Sequence, residues 1–349
     1  MARMTYAQAA LVSLREEMHR DPRVWALGED LGPEGGVAGQ YRGLQAEFGS
    51  ARILDTPISE NTIMGAGVGA AIAGTRPVVE LRYCDFGLCA ADEIINQAAK
   101  IRYMTGGQTK TPLVIRQSIG IRPGLAAQHC QSTEALWIHT PGLVVVAPAT
   151  PADNRALLKA AIQSDDPVVY LEHKDLWKLE GEVPDKETTG ELGRARRCRA
   201  GDDLTIVSWS KGVHVAADAA NELAACGIEV DLIDLRTLYP WDREMVFGSV
   251  RRTSRLLVVH ESTETAGFGA EIVADVTRHE FAALAAPPVR VAMPRVPIPF
   301  SEPLEALCRV TPERVVAAAR QAVGYAGLDQ PRRGSSPSMA GHIADRRAS

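Results

Sequence analysis

Short apolar segments alternate with helical segments along most of this 349-residue chain, and this alternation limits the folds open to it. The apolar runs are short and are bounded by glycine, proline or polar residues, as buried strands are. Strands separated by helices form parallel sheets that are covered on both faces. The chain is therefore predicted to be an α/β protein with two doubly wound, mainly parallel-sheet domains in series.

The alternation breaks once, and this break predicts the domain boundaries. Residues 176–203 are polar and contain four turn-forming residues, Gly181, Pro184, Gly190 and Gly193. Such a segment is typical of an interdomain linker. It separates a first domain, residues 1–175, from a second, residues 204–325. Residues 326–349 are rich in Ser, Pro and Arg and are predicted to be a disordered tail.

The strands and helices are predicted from these patterns. Strands are expected at residues 24–27, 53–54, 77–81, 113–116, 143–147, 168–172, 204–209, 230–235, 256–260 and 289–292. Helices are expected at residues 61–73, 90–103, 152–163, 213–226 and 270–283. Thr5 with Gln8 predicts a capping box at the first helix, and Thr311 with Pro312 predicts the start of the last helix.

Charge and composition exclude several classes of partner. The net charge is −5, from 38 basic and 43 acidic residues, which argues against a nucleic-acid-binding face. No apolar run approaches the ~20 residues of a membrane span. The first residues lack a basic region followed by an apolar run, so we expect a cytoplasmic protein. The six cysteines contain no C-x-x-C pair, which favours reduced thiols over a zinc site or a disulfide framework.

A glycine-rich run, Gly65 to Ala70, matches the letters of the dinucleotide-binding pattern G-x-G-x-x-A. In that pattern the glycines form the turn between a strand and a helix, where backbone N–H groups meet a pyrophosphate. Here residues 57–61 separate the strand from the glycines, which therefore lie inside the predicted helix. Close helix packing explains the small residues better than a nicotinamide site, so a stand-alone NAD enzyme is the less favoured interpretation.

Three side chains follow strands, at positions where parallel sheets bind ligands. Glu60 stands at the start of a helix, where it can serve chemistry or simply complement the helix dipole. His129 lies on a loop before a helix, where it can move protons or act as a structural histidine. Phe86 can pack in the core or offer a stacking face to a flat heterocycle. Each pattern taken alone leaves both alternatives open.

Several blocks of sequence, taken in chain order, resemble one protein family. The blocks are Gly28-Glu29-Asp30, Asp55-Thr56-Pro57-Ile58-Ser59-Glu60, Gly74-x-Arg76-Pro77-Val78-Val79-Glu80, Asn96-Gln97-Ala98-Ala99-Lys100-x-Arg102-Tyr103-Met104-x-Gly106-Gly107, Gln128-His129-x-Gln131-Ser132, Pro141-Gly142-Leu143, Ile233-Asp234-Leu235-Arg236-Thr237 and Gly267-Phe268-Gly269-Ala270-Glu271-Ile272. They resemble the β subunits of thiamine-diphosphate-dependent 2-oxoacid dehydrogenase E1 components, a branch of the transketolase superfamily. The resemblance implies a transketolase-like pyrimidine-binding domain followed by a transketolase C-terminal domain.

The resemblance also implies roles for the candidate residues. Glu60 falls on the family's glutamate that contacts N1′ of the aminopyrimidine of thiamine diphosphate. Phe86 falls on the ring-stacking aromatic residue, and Ile58 falls on a backbone contact beside the pyrimidine. His129 falls on the active-site histidine, which stabilises covalent intermediates and assists acyl transfer. The implied reaction is oxidative decarboxylation of a pyruvate-like 2-oxoacid, with transfer of the acyl group to a lipoyl-bearing E2 acyltransferase.

A partner chain and two metal ions follow from the same resemblance. The family's motif for diphosphate and Mg²⁺ begins Gly-Asp-Gly and belongs to the α subunit, and this sequence has no such motif. We therefore expect an α₂β₂ heterotetramer in which thiamine diphosphate is shared and Mg²⁺ is held by the α subunit. Some relatives have a K⁺ site of backbone carbonyls, with Asp where this chain has Ser164. That site would fall on Leu113, Ala161, Ile162 and Asp166.

The sequence departs from the family pattern near the cofactor, which leaves the substrate open. Arg82 stands where Gln or Met is common, residues 119–124 replace a glycine-richer segment, and Cys130 stands where Ser is common. Residues 86–89 and 172–177 are closer to less characterised members of the family or to acetoin dehydrogenase β subunits, which cleave a carbon–carbon bond with the same cofactor. A more remote alternative is a non-catalytic assembly protein with the same fold.

Overall fold

The computed structural model describes residues 1–185 and 189–324, so the predicted disordered tail lies outside the described residues. The strands are β1 (Ala2–Thr5), β2 (Val24–Gly28), β3 (Ile53–Asp55), β4 (Arg76–Tyr83), β5 (Val114–Ile119), β6 (Val144–Val146), β7 (Val168–His173), β8 (Glu180–Val183), β9 (Arg196–Arg199), β10 (Leu204–Ser208), β11 (Val230–Asp234), β12 (Thr237–Tyr239), β13 (Leu256–Thr263) and β14 (Val289–Met293). The α-helices are α1 (Tyr6–Arg20), α2 (Leu44–Phe48), α3 (Glu60–Ile72), α4 (Ile101–Met104), α5 (Glu134–Ile138), α6 (Pro151–Gln163), α7 (Lys211–Ala224), α8 (Arg243–Thr253), α9 (Phe268–Glu280), α10 (Glu302–Cys308) and α11 (Pro312–Val323). In these ranges no helix combines the length and the apolar character that a membrane crossing needs.

Seven strands form the first sheet, in the order β12-β6-β7-β5-β4-β2-β3. All neighbouring strands are parallel except β12, which runs antiparallel to β6. Apolar residues of α1 and α6 pack on one face of this sheet, and those of α3 pack on the other. Such two-sided burial explains why the strands are nearly continuous apolar runs.

Five strands form the second sheet, in the order β14-β13-β10-β11-β9, and only β9 is antiparallel to its neighbour. Helices α7 and α11 cover one face. Apolar residues of α8 and α9 cover the other and continue into the core behind α3, so one cluster joins the two sheets. The predicted α/β class with two mainly parallel sheets is confirmed.

Two short strands lie in the segment predicted to be a linker, residues 176–203. Strand β8 pairs antiparallel with β1, and β9 pairs antiparallel with β11 at the edge of the second sheet. Residues 186–188 of this segment lie outside the described residues. In addition, β12 follows β11 in the chain but completes the first sheet. The sequence offers no signal for these three strand pairings, because strands of three or four residues are too short to show a hydrophobic period.

The predicted helix at residues 90–103 is wrong as a single helix. The chain instead forms a 3₁₀ turn (Phe86–Ala90), one π-helical stretch (Glu93–Ala98) and the short α4. Apolar periodicity does not distinguish these bonding patterns, and π-helical turns are often found at functional sites. The 3₁₀ turn passes close to the sheet: a Cβ added to Gly87 would lie 2.4 Å from the side-chain nitrogen of Gln117.

Local sequence signals elsewhere are confirmed. Thr5 and Gln8 form the predicted reciprocal capping box, and the hydroxyl of Thr311 accepts a hydrogen bond from the N–H of Arg314 at 3.4 Å. The glycine run lies within α3, and a Cβ on Gly67 would come within 2.5 Å of Val79 on β4. The packing interpretation of that glycine is therefore correct, since a larger residue would push α3 off the sheet.

His260 on β13 makes the folding of the second sheet sensitive to acid. Its ring is fully buried and stacks on Trp209, with centroids 5.2 Å apart and planes 10° from parallel. Burial, assisted by the nearby guanidinium of Arg290, lowers the pKa of His260 to about 4. An unfolded chain binds the proton near pH 6.5, so the stability due to neutral His260 is complete above pH 6.5 and is lost as the pH falls toward 4. The loss corresponds to about 3 kcal/mol.

We expect His260→Gln to remove most of this acid-dependent loss, because glutamine does not titrate. The free energy of unfolding in urea, measured at several pH values between 4 and 6.5, tests this. His139→Gln is the control, since His139 is exposed. An acid slope for His260→Gln equal to that of the unmodified chain would contradict the assignment.

Candidate active site

The predicted site residues lie beyond the carboxyl ends of adjacent parallel strands. Ile58 and Glu60 follow β3, Phe86 follows β4, and His129 follows β5. Because β3, β2, β4 and β5 are neighbours in one parallel sheet, their carboxyl ends share one edge. Open α/β sheets bind their ligands at this edge.

Glu60 is the first residue of α3 and is half-buried. No hydrogen bond or ion pair engages its carboxylate within the described residues. The preceding Ile58 is 78% exposed, which is unusual for a large apolar side chain. Helix α3 packs against the 3₁₀ turn that begins at Phe86. The edge therefore presents a carboxylate unpaired within the described residues and an exposed apolar side chain, both at the start of a helix that packs against the turn of Phe86.

Phe86 and His129 lie in contact, together with Tyr83 at the end of β4. Their ring centroids are 5.1 Å apart for Phe86–His129, 5.2 Å for Tyr83–His129 and 5.5 Å for Tyr83–Phe86, all in edge-to-face geometry. This arrangement suits aromatic quadrupoles and fixes the imidazole without occupying it in an ion pair. The structure thus brings together two of the predicted residues and adds Tyr83, which the sequence patterns did not single out.

His129 lies on a loop, residues 120–131, which we call the histidine loop. Its ends are joined by a 3.1 Å hydrogen bond from the N–H of Gly120 to the carbonyl of Gln131. The Gln131 side chain donates to Asp85 at 2.8 Å, and the thiol of Cys84 donates to the Gln131 carbonyl at 3.1 Å. These bonds tie the loop to the segment that carries Phe86.

The second half of the chain also holds the histidine loop. Glu261 on β13 accepts from the N–H of Ile121 at 2.6 Å and from Nε2 of His173 at 2.9 Å. His173 accepts the N–H of Asp175 at Nδ1, which leaves Nε2 as the donor. Burial alone would raise the pKa of Glu261, but His173, the Ile121 N–H and Arg309 together lower it. Glu261 is therefore a charged anchor for the loop.

Arg82, one of the departures from the family pattern, lies at the same edge. Its guanidinium contacts Glu29 at 3.2 Å and Asp30 at 2.9 Å, and its backbone has a φ of +57°. Two carboxylates thus hold the cation. Because both lie directly after β2, Arg82 is restrained beside the candidate site rather than free in solvent.

A buried charged layer lies beneath the edge. Arg116 forms hydrogen bonds of 2.6 and 2.9 Å with Glu172, and Glu80 accepts from the hydroxyl of Tyr41 at 3.0 Å. Burial raises the pKa of Glu80 to about 7, although Arg116 opposes this shift. Glu80 also accepts the N–H of Arg82 at 3.1 Å, so a carboxyl that titrates near neutral pH adjoins the site.

The candidate K⁺ residues lie around an arginine. The guanidinium of Arg76 donates to the carbonyls of Ile162 at 3.1 Å and Ser164 at 2.8 Å. The carbonyls of Leu113 and Ala161 accept backbone N–H groups, and Asp166 pairs with Arg102. The K⁺ site stays a prediction, with a positive charge already bonded to one of its carbonyls. Across residues 1–185 and 189–324, no cluster of three or more His, Cys, Asp or Glu side chains could hold a metal ion.

Comparison with known proteins places this geometry among established folds. The chain matches the family "Transketolase, pyrimidine binding domain" over residues 2–178 and "Transketolase, C-terminal domain" over residues 193–315. Among solved structures, a split-gene transketolase described as an inactive β4 tetramer superposes with a TM-score of 0.73 and 25% identity. That match covers 92% of this chain and 98% of the other.

Sequence relatives cover nearly the whole chain. The 2-oxoisovalerate dehydrogenase subunit beta of Bacillus subtilis is 40% identical over 92% of this chain and 99% of its own length. The acetoin:2,6-dichlorophenolindophenol oxidoreductase subunit beta of Cupriavidus necator is 45% identical over 88% of this chain and 94% of its own. The pyruvate dehydrogenase E1 component subunit beta of Bacillus subtilis is 41% identical over 86% and 93%.

Proposed function

Because this chain belongs to the E1 β subunits of 2-oxoacid dehydrogenase complexes, we propose that its carboxyl-edge residues form half of a shared thiamine-diphosphate site. The observation that carries the proposal is that Glu60, whose carboxylate is unpaired within the described residues, and exposed Ile58 lie at the same sheet edge as the contacting rings of Phe86 and His129. A flat aminopyrimidine needs an aromatic face, an apolar contact and one strong hydrogen-bond acceptor, and these residues supply all three.

Each of these residues has a proposed task. When bound, thiamine diphosphate supplies the carbanion chemistry and the electron sink for decarboxylation. Glu60 accepts the proton of the pyrimidine N1′ in a charge-assisted hydrogen bond, which is strong where water is excluded. Phe86 stacks on the pyrimidine, and Ile58 covers its edge. These tasks require only that the pyrimidine ring reaches the carboxyl ends of the parallel strands from the side on which Ile58 is exposed.

His129 is proposed to act on the substrate rather than on the cofactor. Its ring is held by Tyr83 and Phe86 and by the anchored histidine loop, and no ion pair occupies it among the described residues. An imidazole so placed can donate a proton to a developing oxyanion and assist acyl transfer. We propose that the acyl group passes to a lipoyl-bearing E2 chain.

The rest of the site is proposed to come from an α subunit in an α₂β₂ assembly, with Mg²⁺ and diphosphate held by that chain. The exposure of Ile58 supports this, since a second chain would cover it. The substrate is proposed to be a small 2-oxoacid. Acetoin cleavage is the second candidate, favoured by the 45% identity to an acetoin oxidoreductase β subunit.

Reconstitution tests this proposal. We expect no turnover from this chain alone and clear dye-linked turnover after mixing with its cognate α subunit, thiamine diphosphate and Mg²⁺. Pyruvate, a branched-chain 2-oxoacid and acetoin, supplied separately with dichlorophenolindophenol as acceptor, distinguish the two candidates. Turnover by the chain without α, or none with any substrate after stable assembly, would contradict the shared site.

A further inference from the structure

A cavity of about 430 Å³ opens between the start of α1, the segment before α2 and the turn after β7. Its volume falls within the range of small-molecule sites, ~300–1,000 Å³. None of the residues assigned above to the cofactor or the substrate lines it. The charged residues that line it are Arg42, Arg122, Lys174, Asp175 and Lys178.

The cavity wall carries uncompensated positive charge. It includes two arginines and two lysines but a single carboxylate, Asp175. Asp175 is engaged by Arg309, which lies outside the wall, at 3.2 Å. Within the described residues, neither Arg42, Arg122 nor Lys178 pairs with a carboxylate. This is notable in a chain of net charge −5, because acidic partners are plentiful and most arginines in residues 1–185 and 189–324 form ion pairs.

Lys174 is the most informative member of the wall. It is 2% exposed, and its ammonium has no hydrogen-bond partner in the described part of the chain. Burial lowers its pKa, although Cys84, Cys130, Asp85 and Glu261 oppose the shift. A buried ammonium without a hydrogen bond is costly, and an anion in the cavity would relieve that cost.

Apolar and polar side chains share the remaining wall. Leu11 and Val37 line it, and the guanidinium of Arg122 lies 5.4 Å from the ring centre of Trp177. A guanidinium held over an aromatic ring keeps its edge free for bidentate bonds to phosphate or carboxylate. The wall therefore suits a small organic anion better than a hydrated metal ion.

Two members of the wall connect the cavity to the candidate active site. Arg122 belongs to the histidine loop. The ammonium of Lys174 lies 5.1 Å over the ring of Tyr83, and that ring contacts the ring of His129. A ligand bonded to Arg122 would restrict the loop backbone, and its negative charge would attract the ammonium that lies over Tyr83.

We infer that this cavity binds a small phosphate- or carboxylate-bearing anion and that the bound anion restrains the histidine loop. The inference requires neither thiamine diphosphate nor an α subunit, so it stands or falls separately from the function proposed above. The ligand classes differ in their anionic group and are distinguished by separate titrations of pyrophosphate, ATP and citrate.

Calorimetric titration of the full chain tests binding, and amide hydrogen exchange tests the restraint. We expect at least one of the three anions to bind and to slow exchange in residues 120–131. The double variant Arg42→Gln/Arg122→Gln should raise Kd about tenfold or more and abolish the slower exchange. Arg278, an exposed arginine on α9 with no ion pair among the described residues, provides the matched control, and Arg278→Gln should bind as the unmodified chain does.

Three results would overturn the inference. One is the absence of binding by all three anions, and another is an equal loss of affinity in Arg278→Gln. The third is binding that leaves exchange in residues 120–131 unchanged, because an anion bonded to Arg122 must restrict the loop that carries it. Circular dichroism of each variant confirms that the comparison is made between folded chains.

Discussion

Replacing Glu60 with glutamine is expected to lower the turnover of the reconstituted complex by about 10²–10⁴-fold. Glutamine preserves the size of the side chain and can still accept a hydrogen bond at its carbonyl oxygen. It lacks the negative charge that makes the bond to the pyrimidine N1′ strong and favours its protonated form. The dye-linked rate, measured at saturating thiamine diphosphate, separates this effect from weaker cofactor binding.

A matched control is available in the same chain. Glu302 is the first residue of α10, as Glu60 is of α3, but it is exposed and belongs to the second half of the chain. If the glutamate at the start of a helix only complements the helix dipole, Glu60→Gln and Glu302→Gln should both leave turnover nearly unchanged. Near-normal turnover of Glu60→Gln would remove the central residue of the proposed site. Loss in Glu60→Gln alone would support it.

The fold was largely predictable because its strongest signals are local. Buried parallel strands such as β2 and β6 are continuous apolar runs, and Thr5 and Thr311 mark helix starts by their own hydrogen bonds. The exceptions are non-local. Strand β12 crosses to the first sheet, and the helix predicted at residues 90–103 is divided between a π-helical stretch and the short α4. No pattern within a short window encodes such contacts.

The candidate site, like the fold, was predictable only in part. Its edge position was predictable, because strands that alternate with helices run parallel and end at one edge. Glu60, Phe86 and His129 could be selected only by resemblance to a family, since each alone has an ordinary structural explanation. What holds His129 in place was not predictable: Glu261 lies 140 residues beyond Ile121 in sequence, yet its carboxylate accepts the Ile121 N–H.

This long-range anchor depends on a close approach at Gly120. A Cβ added there would lie 2.0 Å from Nε2 of His173, the atom that donates to Glu261. Gly120 also has a φ of +92°, a backbone conformation that costs alanine roughly 1–2 kcal/mol. Glycine therefore permits the contact by which His173 and Glu261 hold both the start of the histidine loop and the interface between the two halves.

We therefore expect Gly120→Ala to lower the free energy of unfolding by roughly 2–5 kcal/mol, the sum of backbone strain and overpacking against His173. Gly124→Ala is the control: Gly124 has a φ of +79° in the same loop, but a Cβ there meets nothing within 4 Å. Its expected loss is only the roughly 1–2 kcal/mol of strain. Urea unfolding of the full chain gives both values.

The same pair of variants tests whether the anchor serves catalysis. Displacing His173 weakens its bond to Glu261 and releases the Ile121 N–H, so the loop that carries His129 loses its restraint from the second half. We expect a lower kcat for the complex containing Gly120→Ala than for the one containing Gly124→Ala, at a temperature where both are fully folded. Equal losses of stability and equal rates for the two variants would show that the His173 contact neither braces the fold nor positions His129.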